Sequence, residues 1–316
     1  MTVASAPGKT ILFGEHAVVS GVPALGSAID LRARVVVESA PGRMEIEACN
    51  LALKGFSVDL LTGRICSIEA LQAVRYVSAV LAEFSSKDLK VKVESEIPPA
   101  AGLGSSAAIV VATLTALNQH MNIGLSRDDI AAQAYNIEKK VQHGMASPMD
   151  TALATYGGYL QVSDRIQKMN LPELVMVVGY TERQHDTRSE VQKVQSLLQL
   201  YPDIVKPIFS AIGAISVRAV PLIRDRDLVE LGRLMNMNHG LLEAIGVCTR
   251  ELSDLVYAAR GAGGALGAKL TGAGGGGCII ALPSDTNSSS IATAIYQARG
   301  SAFSVRTGCE GARLEG

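Results

Sequence analysis

Three glycine-bearing segments of the sequence carry residue types that could bind phosphate or move a proton. The central segment runs from Pro98 to Ala108, with glycine at 102 and 104 and serine at 105 and 106. Small residues let the backbone approach a ligand closely, and the start of a following helix offers free N–H groups to a phosphate. A serine hydroxyl could also reach a magnesium ion. The segment therefore predicts a phosphate-binding loop.

Two other interpretations of the central segment stay open at this point. Gly102, Gly104 and Ala107 fit the loose dinucleotide fingerprint, although two prolines separate them from the preceding strand. The acidic residue expected about twenty positions later falls at Asp128–Asp129, at a helix start rather than at a strand end. The remaining alternative is a helix entry without a ligand, but serines beside glycines are costly in helix propensity unless they are used.

The first segment joins Ala6–Thr10 to Phe13–His16. It resembles the end of a P-loop, but that pattern needs a glycine at position 3, where the chain has valine, and no long strand is predicted before it. Glu15 and His16 put a carboxylate and an imidazole directly after an apolar strand. Taken alone, Lys9 is equally well a surface lysine, and Glu15–His16 a polar turn.

The third segment, Lys269–Cys278, also fits the pattern G-x-G-x-x-G. Cys278–Leu282 reads as a strand, however, where a dinucleotide site requires a helix. Taken alone, the segment is a flexible turn between two strands. Ordering so many glycines costs entropy, and close approach to another loop or to a ligand would explain why the run is tolerated.

Two carboxylates could serve phosphate transfer to an alcohol, which needs a phosphate cradle, a divalent cation, a positive group and a carboxylate near the hydroxyl. Asp150 stands in Ser147–Thr151, a proline-marked turn, where its structural alternative is a helix N-cap. Glu138 lies on a helix predicted from Ser126, and its alternative is an ordinary surface glutamate. The histidines show no metal-ligand spacing.

The elements that must position these residues follow from hydrophobic periodicity and turn signals. Strands are predicted at 10–13, 31–38, 91–97, 174–180, 268–271 and 278–282. Helices are predicted at 105–118, from 126 with a capping box to Asp129, and at 190–200, 203–220, 228–244 and 250–260. Because strands and helices mix without regular βαβ alternation, we expect an α+β fold. A polar stretch near 163–172 suggests two domains, 1–168 and 169–316.

Composition limits the possible functions. The 316 residues are 48% apolar and 19% charged, with a net charge of −1, which gives no electrostatic footprint for nucleic acid. The five cysteines form no C-x-x-C pair, so neither a disulfide framework nor a zinc site is expected. The N-terminus does not read as a signal peptide, and the apolar stretch at 107–117 is too short for a bilayer. We expect a soluble, cytoplasmic protein.

Taken together and in this order, the three segments resemble the three motifs of the GHMP kinases, and the resemblance covers nearly the whole chain. Within that superfamily the sequence resembles the mevalonate kinases, especially the compact archaeal kind. The resemblance to them rests on Phe13–Val19, Ser147–Thr151 and Leu234–Val247.

The resemblance implies a two-domain α+β architecture with the active site in the cleft between the domains. The N-terminal domain would be like ribosomal protein S5 domain 2, and the C-terminal domain ferredoxin-like. It implies transfer of the γ-phosphoryl group of ATP to the 5-hydroxyl of mevalonate, with Mg²⁺, in isoprenoid biosynthesis.

Phosphomevalonate or homoserine kinase activity, and a non-catalytic sensor on the same fold, stay open as alternatives. A dehydrogenase is a more distant alternative. A homodimer is possible, and neither nucleic acid nor membrane is expected as a partner.

The resemblance also implies residue roles. Asp150 would be the catalytic carboxylate and Lys9 its neighbour at the transferring phosphoryl group. Ser106, with Ser105 as a second candidate, would reach Mg²⁺ together with Glu138. The ATP phosphates would be wrapped by Pro99, Ala100, Ala101, Gly102, Leu103, Gly104, Ser105, Ser106 and Ala107. Glu15, His16 and Thr187 would contact mevalonate or orient the groups that do. The third motif would support the phosphate loop.

The chain departs from the family pattern at three positions. Ala100 stands where many relatives have glycine, and Glu138 is one residue farther from Asp150 than the pattern leads us to expect. Gln195 stands where relatives often carry arginine. Arg188 or Lys193 are the candidates to replace that arginine.

Overall fold

The computed structural model describes residues 1–51, 56–59, 68–84, 88–99, 101–181, 187–284 and 288–316. Within these ranges twelve strands form two sheets. The strands are β1 (Thr2–Phe13), β2 (Ala24–Ser39), β3 (Met44–Leu51), β4 (Phe56–Asp59), β5 (Leu89–Ser95), β6 (Tyr159–Val162), β7 (Ile166–Met169), β8 (Val175–Tyr180), β9 (Ala265–Leu270), β10 (Cys278–Pro283), β11 (Ser301–Arg306) and β12 (Arg313–Leu314).

The described ranges also contain nine α-helices and a 3-10 turn at Ala17–Ser20. The helices are α1 (Ile68–Glu83), α2 (Ser105–His120), α3 (Arg127–Val141), α4 (Pro148–Tyr156), α5 (Thr187–Leu200), α6 (Pro202–Asp225), α7 (Leu228–Ala244), α8 (Arg250–Gly261) and α9 (Ser288–Gln297). The predicted capping box at Ser126 and Asp129 is present at the start of α3.

The first sheet has the order β12-β1-β2-β5-β3-β4, with the β6–β7 hairpin joined to β2. Its described pairings are antiparallel except for β3 with β5. Helix α2 packs on β1 and β2, and α1 and α3 pack against α2. Buried and half-buried residues alternate along β5, as its sequence pattern predicts. A mostly antiparallel sheet rules out the doubly wound fold that a dinucleotide site would require.

The second sheet is antiparallel, with the order β11-β8-β10-β9. Helices α7 and α8 pack on β9, and α9 packs on β8 and β11. All six residues of β10 are buried, which agrees with its central position and its apolar sequence. The segregation of helices and antiparallel strands confirms the α+β class.

The predicted boundary stretch at 163–172 contains β7, which pairs with β6 in the first sheet. After the last strand of the second sheet the chain returns to the first sheet. There Thr307 forms an isolated β-bridge with Ile29, and β12 pairs with β1. The division into residues 1–168 and 169–316 stays a prediction.

Two local predictions were wrong. The first strand begins at Thr2 rather than at Thr10, because β1 pairs with β2 over its whole length and gains β12 near its start. Ser147–Thr151 is not a turn but the beginning of α4, with Ser147 as the N-cap and proline in the first turn. Proline suits that place because its missing N–H has no partner there in any helix.

Helix α6 is the one helix within the described ranges that is long and apolar enough to cross a membrane. Its buried side chains, Phe209 and Ile212 among them, recur with helical spacing and face β1, β2 and α7. A core helix gives this pattern.

Candidate active site

The side chain of Lys9 projects from the middle of β1 beneath the central glycine loop. Its backbone N–H donates to the carbonyl oxygen of Leu103 at 2.8 Å. Gly104 has φ +74°, and a Cβ built there would lie 2.7 Å from Cγ of Lys9. Gly8 also lies against the loop: a Cβ built on Gly8 would be 2.9 Å from the carbonyl oxygen of Leu103. The loop therefore lies directly on the strand that carries the lysine, and it needs glycine to do so.

Lys9 and Asp150 form a largely buried ion pair. Nζ of Lys9 is 3.2 Å from Oδ2 of Asp150, and the two side chains are 7% and 20% exposed. Oδ1 of Asp150 is buried without a hydrogen-bond partner among the described residues. Asp150 stands in the first turn of α4, where the helix dipole favours a negative charge. The pair thus offers one free carboxylate oxygen beside an ammonium group.

The central loop ends at the first turn of α2. Gly104 precedes that helix in a left-handed conformation, and no side chain caps the helix start. The backbone N–H groups of a first turn have no partner inside their own helix, so they are available to an anion. Ser105 and Ser106 are half-buried in this turn, and Ala107 is buried behind them.

The entrance to the loop is held from the second sheet. The hydroxyl of Tyr180, the last residue of β8, donates to the carbonyl oxygen of Pro99 at 3.4 Å. Ala101 and Leu103 are buried, whereas Gly102 is half-buried. Ala100, predicted to belong to the loop, lies outside the described residues.

Glu138 lies in the last turn of α3 and is only 1% exposed. Burial raises its pKa to about 7. A hydrogen bond with Ser106 and the charge of Lys9 oppose that rise, while the charge of Asp150 adds to it. The structure therefore brings Glu138, Ser106, Lys9 and Asp150, the residues to which the family resemblance gave roles, close to one another. Carboxylate and hydroxyl oxygens are the donor type that Mg²⁺ prefers.

Between Glu138 and Asp150, helix α3 ends in a turn. His143 and Gly144 both have positive φ, 52° and 94°. The N–H of Gly144 donates to Lys139 at 2.8 Å, which closes the turn.

Glu15 is bound by protein groups on both carboxylate oxygens. Lys269 donates to Oε1, and Nδ2 of Asn238 donates to Oε2 at 3.2 Å. All three side chains are buried, and Nζ of Lys269 also lies 5.9 Å from the centre of the Phe13 ring. Of the two roles predicted for Glu15, the structure favours orienting its neighbours over direct contact with a substrate.

His16 sits at the junction between β1 and the third glycine segment. Its Nε2 donates to the carbonyl oxygen of Ala273 at 2.8 Å, and its backbone has φ 60°. Burial lowers the pKa of His16, and the carboxylates of Glu15 and Glu190 partly offset this. Thr187 is exposed at the first residue of α5, one turn before Glu190.

The third glycine segment is anchored to β1 by Thr271. The Thr271 hydroxyl donates to the Ile11 carbonyl at 2.8 Å and accepts from the Ile11 N–H at 3.2 Å. A Cβ built on Gly272 would lie 4.0 Å from the carbonyl oxygen of Gly102. The turn between β9 and β10 therefore borders the central loop, as the resemblance implied.

Close approach to neighbours explains the glycines farther along this segment. A Cβ on Gly274 would lie 2.1 Å from the carbonyl oxygen of Val247. A Cβ on Gly275 would lie 2.6 Å from Cδ of Glu190. Both glycines also have positive φ. The turn therefore packs between α5 and the residues that follow α7.

The candidates to replace the arginine missing at Gln195 lie on α5. Lys193 pairs with Glu190 at 2.6 Å, although its own side chain is 64% exposed. Arg188 is exposed in the first turn of the helix, beside Thr187.

Sequence reasoning gave no individual role to four residues that shape the site. Lys269 and Asn238 hold Glu15, and Tyr76 and Gln142 contact the Ser106–Glu138 pair. A lysine inside a buried strand was the one signal for the first of these. The others have no sequence signature, because a tyrosine, asparagine or glutamine on a helix is common at any surface.

Comparison with known families matches two parts of the chain. Residues 70–158 match the family model described as GHMP kinases N terminal domain, and residues 219–302 match GHMP kinases C terminal. Among curated proteins, the mevalonate kinase of Pyrococcus abyssi is 40% identical over 331 aligned positions, covering 100% of this chain and 98% of the relative. That of Pyrococcus horikoshii is 41% identical, covering 99% and 97%.

Solved structures agree with these matches. The crystal structure of L. major mevalonate kinase in complex with R-mevalonate has a TM-score of 0.84 at 26% identity, covering 97% of this chain and 96% of that one. The Methanococcus jannaschii mevalonate kinase has a TM-score of 0.80 at 30% identity, covering 96% and 98%. The two-domain GHMP architecture expected from the motifs is thereby confirmed. The chain belongs to the GHMP kinases and, within them, to the mevalonate kinase family.

Proposed function

We propose that this protein phosphorylates the 5-hydroxyl group of mevalonate with ATP. The observation that carries the proposal is the Lys9–Asp150 pair beside a glycine loop at a helix N-terminus, with one buried Asp150 oxygen that no described residue binds. The relatives named mevalonate kinase match this chain over its whole length. The L. major relative is named as a complex with R-mevalonate.

The central loop and the first turn of α2 bind the phosphates of ATP in this proposal. Backbone N–H groups from Gly104 to Ala107 point outward from the helix start and meet negative charge there. Gly102 and Gly104 both have positive φ, which favours glycine, and glycine places no side chain in the phosphate path. The turn at Gly272 supports the loop from the other side.

Asp150 accepts the proton of the attacking hydroxyl. The hydroxyl oxygen forms a bond to the γ-phosphorus, the bond from that phosphorus to the β,γ-bridging oxygen breaks, and the proton passes to Oδ1 of Asp150. Such alcohols are about as weakly acidic as water, so the carboxylate acts mainly by orienting the hydroxyl and takes the proton late. Lys9 stabilises the charge on the attacking oxygen and on the transferring group.

Ser106 and Glu138 would hold a magnesium ion. The fit rests on their contact with each other, on the burial of the carboxylate and on the oxygen donors they supply. Ser105 is the neighbouring alternative for the hydroxyl. When bound, the ion neutralises phosphate charge as the transfer proceeds.

His16 and Thr187 are the proposed contacts to mevalonate, and Glu15 helps to orient its chain neighbour His16. Oligomeric state and location are further predictions: we expect a cytoplasmic enzyme, and a homodimer is possible.

The test is a kinase assay with purified protein, MgATP and a panel of alcohols. We expect ADP formation with R-mevalonate, and none with homoserine, galactose or phosphomevalonate. Turnover of homoserine or phosphomevalonate without mevalonate would replace the substrate. Binding of ATP without turnover of any alcohol would favour the non-catalytic sensor.

A further inference from the structure

The edge of β1 that faces away from β2 changes its partners along the strand. Near the start of β1 this edge pairs with β12 over two residues. Around Lys9 the partners are loop residues instead. The Lys9 N–H donates to the carbonyl oxygen of Leu103 at 2.8 Å, and the Ile11 N–H donates to Oγ1 of Thr271 at 3.2 Å. The central loop and the third glycine segment therefore complete the strand that carries the lysine.

The Thr271 hydroxyl binds both backbone groups of Ile11. It accepts from the Ile11 N–H at 3.2 Å and donates to the Ile11 carbonyl oxygen at 2.8 Å. In an antiparallel sheet, two directly opposite residues of a hydrogen-bonded pair exchange the same two kinds of bond. A single side-chain oxygen thus takes the place of a neighbouring strand at this position.

The same hydroxyl makes a third contact with β1. Oγ1 of Thr10 lies 3.2 Å from Oγ1 of Thr271. A hydroxyl has one proton and two lone pairs, so Thr271 gives its proton to Ile11 and accepts from the Ile11 N–H and from Thr10. Thr10 has no exposed surface and Thr271 is 5% exposed. The full hydrogen-bonding capacity of Thr271 is therefore used on the two residues that follow Lys9.

Irregular pairing with β2 separates this part of β1 from the rest of the strand. The register shifts between Pro7 and Gly8, and again between Ile11 and Phe13. A shift of this kind disrupts the ladder locally and bends the strand. Lys9 therefore lies in a short stretch, Gly8–Ile11, and the contacts with Thr271 hold the last two residues of that stretch.

We propose that Thr271 is a positioning residue for phosphoryl transfer, because its hydroxyl fixes the β1 backbone from which the Lys9 side chain projects. This inference rests on the proposed function, since it takes Lys9 as the group that stabilises the transferring phosphoryl group. Thr271 itself touches neither substrate nor metal in it. Thr271 follows β9 directly, so the position of the lysine depends on the second sheet as well as on the first.

Thr271→Val tests the inference, because it keeps the shape of the side chain and removes the hydroxyl. The variant leaves the two backbone groups of Ile11 without this partner. We expect kcat for mevalonate phosphorylation to fall roughly 10-fold, since a small misplacement of a reacting group is costly. The dissociation constant of ADP, measured by calorimetry, should change less than about twofold. Thr271→Ser keeps the hydroxyl and should keep kcat within about twofold of wild type.

A double variant shows whether the effect passes through the lysine. In a Lys9→Met background, Thr271→Val should cause no further loss of kcat, because residues that act through one group are not additive. An undiminished further loss would overturn the inference. So would a Thr271→Val protein that has a lower melting temperature but the wild-type kcat, because that result indicates a purely structural role.

Thr113→Val is the matched control. The Thr113 hydroxyl is also buried, but it donates to the Ile109 carbonyl at 2.7 Å inside α2. Its loss should lower the melting temperature and leave kcat at the wild-type value. A loss of kcat equal to that of Thr271→Val would overturn the inference.

Two further measurements keep the test decisive. Thr271→Cys replaces the valine variant if valine prevents folding, because a thiol is a weak hydrogen-bonding group. Its kcat should lie below that of Thr271→Ser, and equal values would overturn the inference. NMR of isotope-labelled lysine ammonium groups, with Lys9 assigned from Lys9→Met, requires no turnover. We expect the Lys9 resonance to shift in Thr271→Val or Thr271→Cys and to stay in place in Thr271→Ser.

These readouts separate the inference from the proposed function. A wild-type protein that phosphorylates no alcohol would refute the proposed function, and the Lys9 resonance would still report on the contact with Thr271. A Lys9 resonance that does not move in the variants without the hydroxyl would refute the inference, even where the wild-type protein phosphorylates mevalonate.

Discussion

Nζ of Lys9 lies 3.2 Å from Oδ2 of Asp150, while Oδ1 of the same carboxylate is buried and has no partner among the described residues. The ammonium group therefore orients the carboxylate through one oxygen and leaves the other for a substrate hydroxyl. Asp150→Asn keeps the size of the side chain but removes the proton acceptor. We expect kcat for mevalonate phosphorylation to fall by at least ~100-fold, with ATP affinity nearly unchanged.

The measurement is steady-state kinetics together with nucleotide titration by calorimetry. Asp164→Asn, an exposed carboxylate in the β6–β7 turn, is the control and should retain wild-type kcat. Full turnover by the Asp150 variant would remove this carboxylate from the mechanism.

Gly104→Ala should disturb Lys9 as well as the backbone. The new Cβ would lie 2.7 Å from Cγ of Lys9, at a residue with φ +74°. Gly124→Ala is the matched control, because Gly124 has φ +85° but no atom within 4 Å of such a Cβ. Left-handed backbone costs either variant roughly 1 kcal/mol of the free energy of unfolding.

Apart from this shared loss of stability, only Gly104→Ala should displace the Lys9 side chain. We expect kcat/KM to fall at least ~10-fold for Gly104→Ala, since misplacement of reacting groups by about 1 Å is costly. Gly124→Ala should keep its activity. Chemical denaturation and kinetics on both proteins give the comparison, and equal activities would show that the contact with Lys9 is unimportant.

Lys269→Met should destabilise the protein strongly. It leaves the buried Glu15 carboxylate without its cation, and breaking a buried pair in this way costs about 3–5 kcal/mol. Adding Glu15→Gln to that variant removes the stranded charge and should recover part of the loss. Lys140→Met breaks an exposed pair with Glu83 and should cost less than about 1 kcal/mol.

Urea unfolding of the three variants measures these differences. A double variant that is no more stable than Lys269→Met alone would contradict the view that the stranded charge causes the loss.

His239 should make the stability depend on pH. Burial, and to a lesser extent the positive charges of Arg260 and Lys269, lowers the pKa of His239 to about 3. Its Nδ1 accepts a hydrogen bond from the Leu270 N–H at 3.3 Å. An unfolded histidine has a pKa of about 6.5, so between the two values the unfolded chain binds a proton that the folded chain does not. The free energy of unfolding therefore falls as the pH drops through this range, by up to ~1.4 kcal/mol per pH unit.

Urea unfolding between pH 4 and pH 7 tests this dependence. His239→Gln should flatten the slope, whereas His143→Gln, at an exposed position, should leave it as it is. An unchanged slope for the variant at 239 would show that other groups cause the pH dependence.

Local signals in the sequence were enough for most elements of the fold. The helix over Leu228–Ala244 has the predicted bounds, and the capping box at Ser126 forms as its spacing requires. Alternation along β5 matches the burial pattern. Such signals depend on neighbours within a few residues, which is why they can be read without the fold.

Long-range partners could not be read in this way. The second neighbour of β1 is β12, which comes from the other end of the chain, and the ion pair of Glu15 joins residues 254 positions apart. For the same reason Glu15 was assigned to the substrate without knowledge that both its oxygens have protein partners. The meeting of Lys9, Ser106, Glu138 and Asp150 was predictable only through the family resemblance, because nothing in their spacing brings four separate elements together.

The strand that carries Lys9 has consequences for the order in which the protein folds. Its second neighbour is β12, and the contact between Ser5 and Glu315 spans 310 positions of sequence. Contacts so distant in sequence form slowly, because the chain entropy of closing the loop must be lost before the contact stabilises it. We expect β1 to complete its pairing late, because β12 can reach Ala4 and Ser5 only after nearly the whole chain has been synthesised.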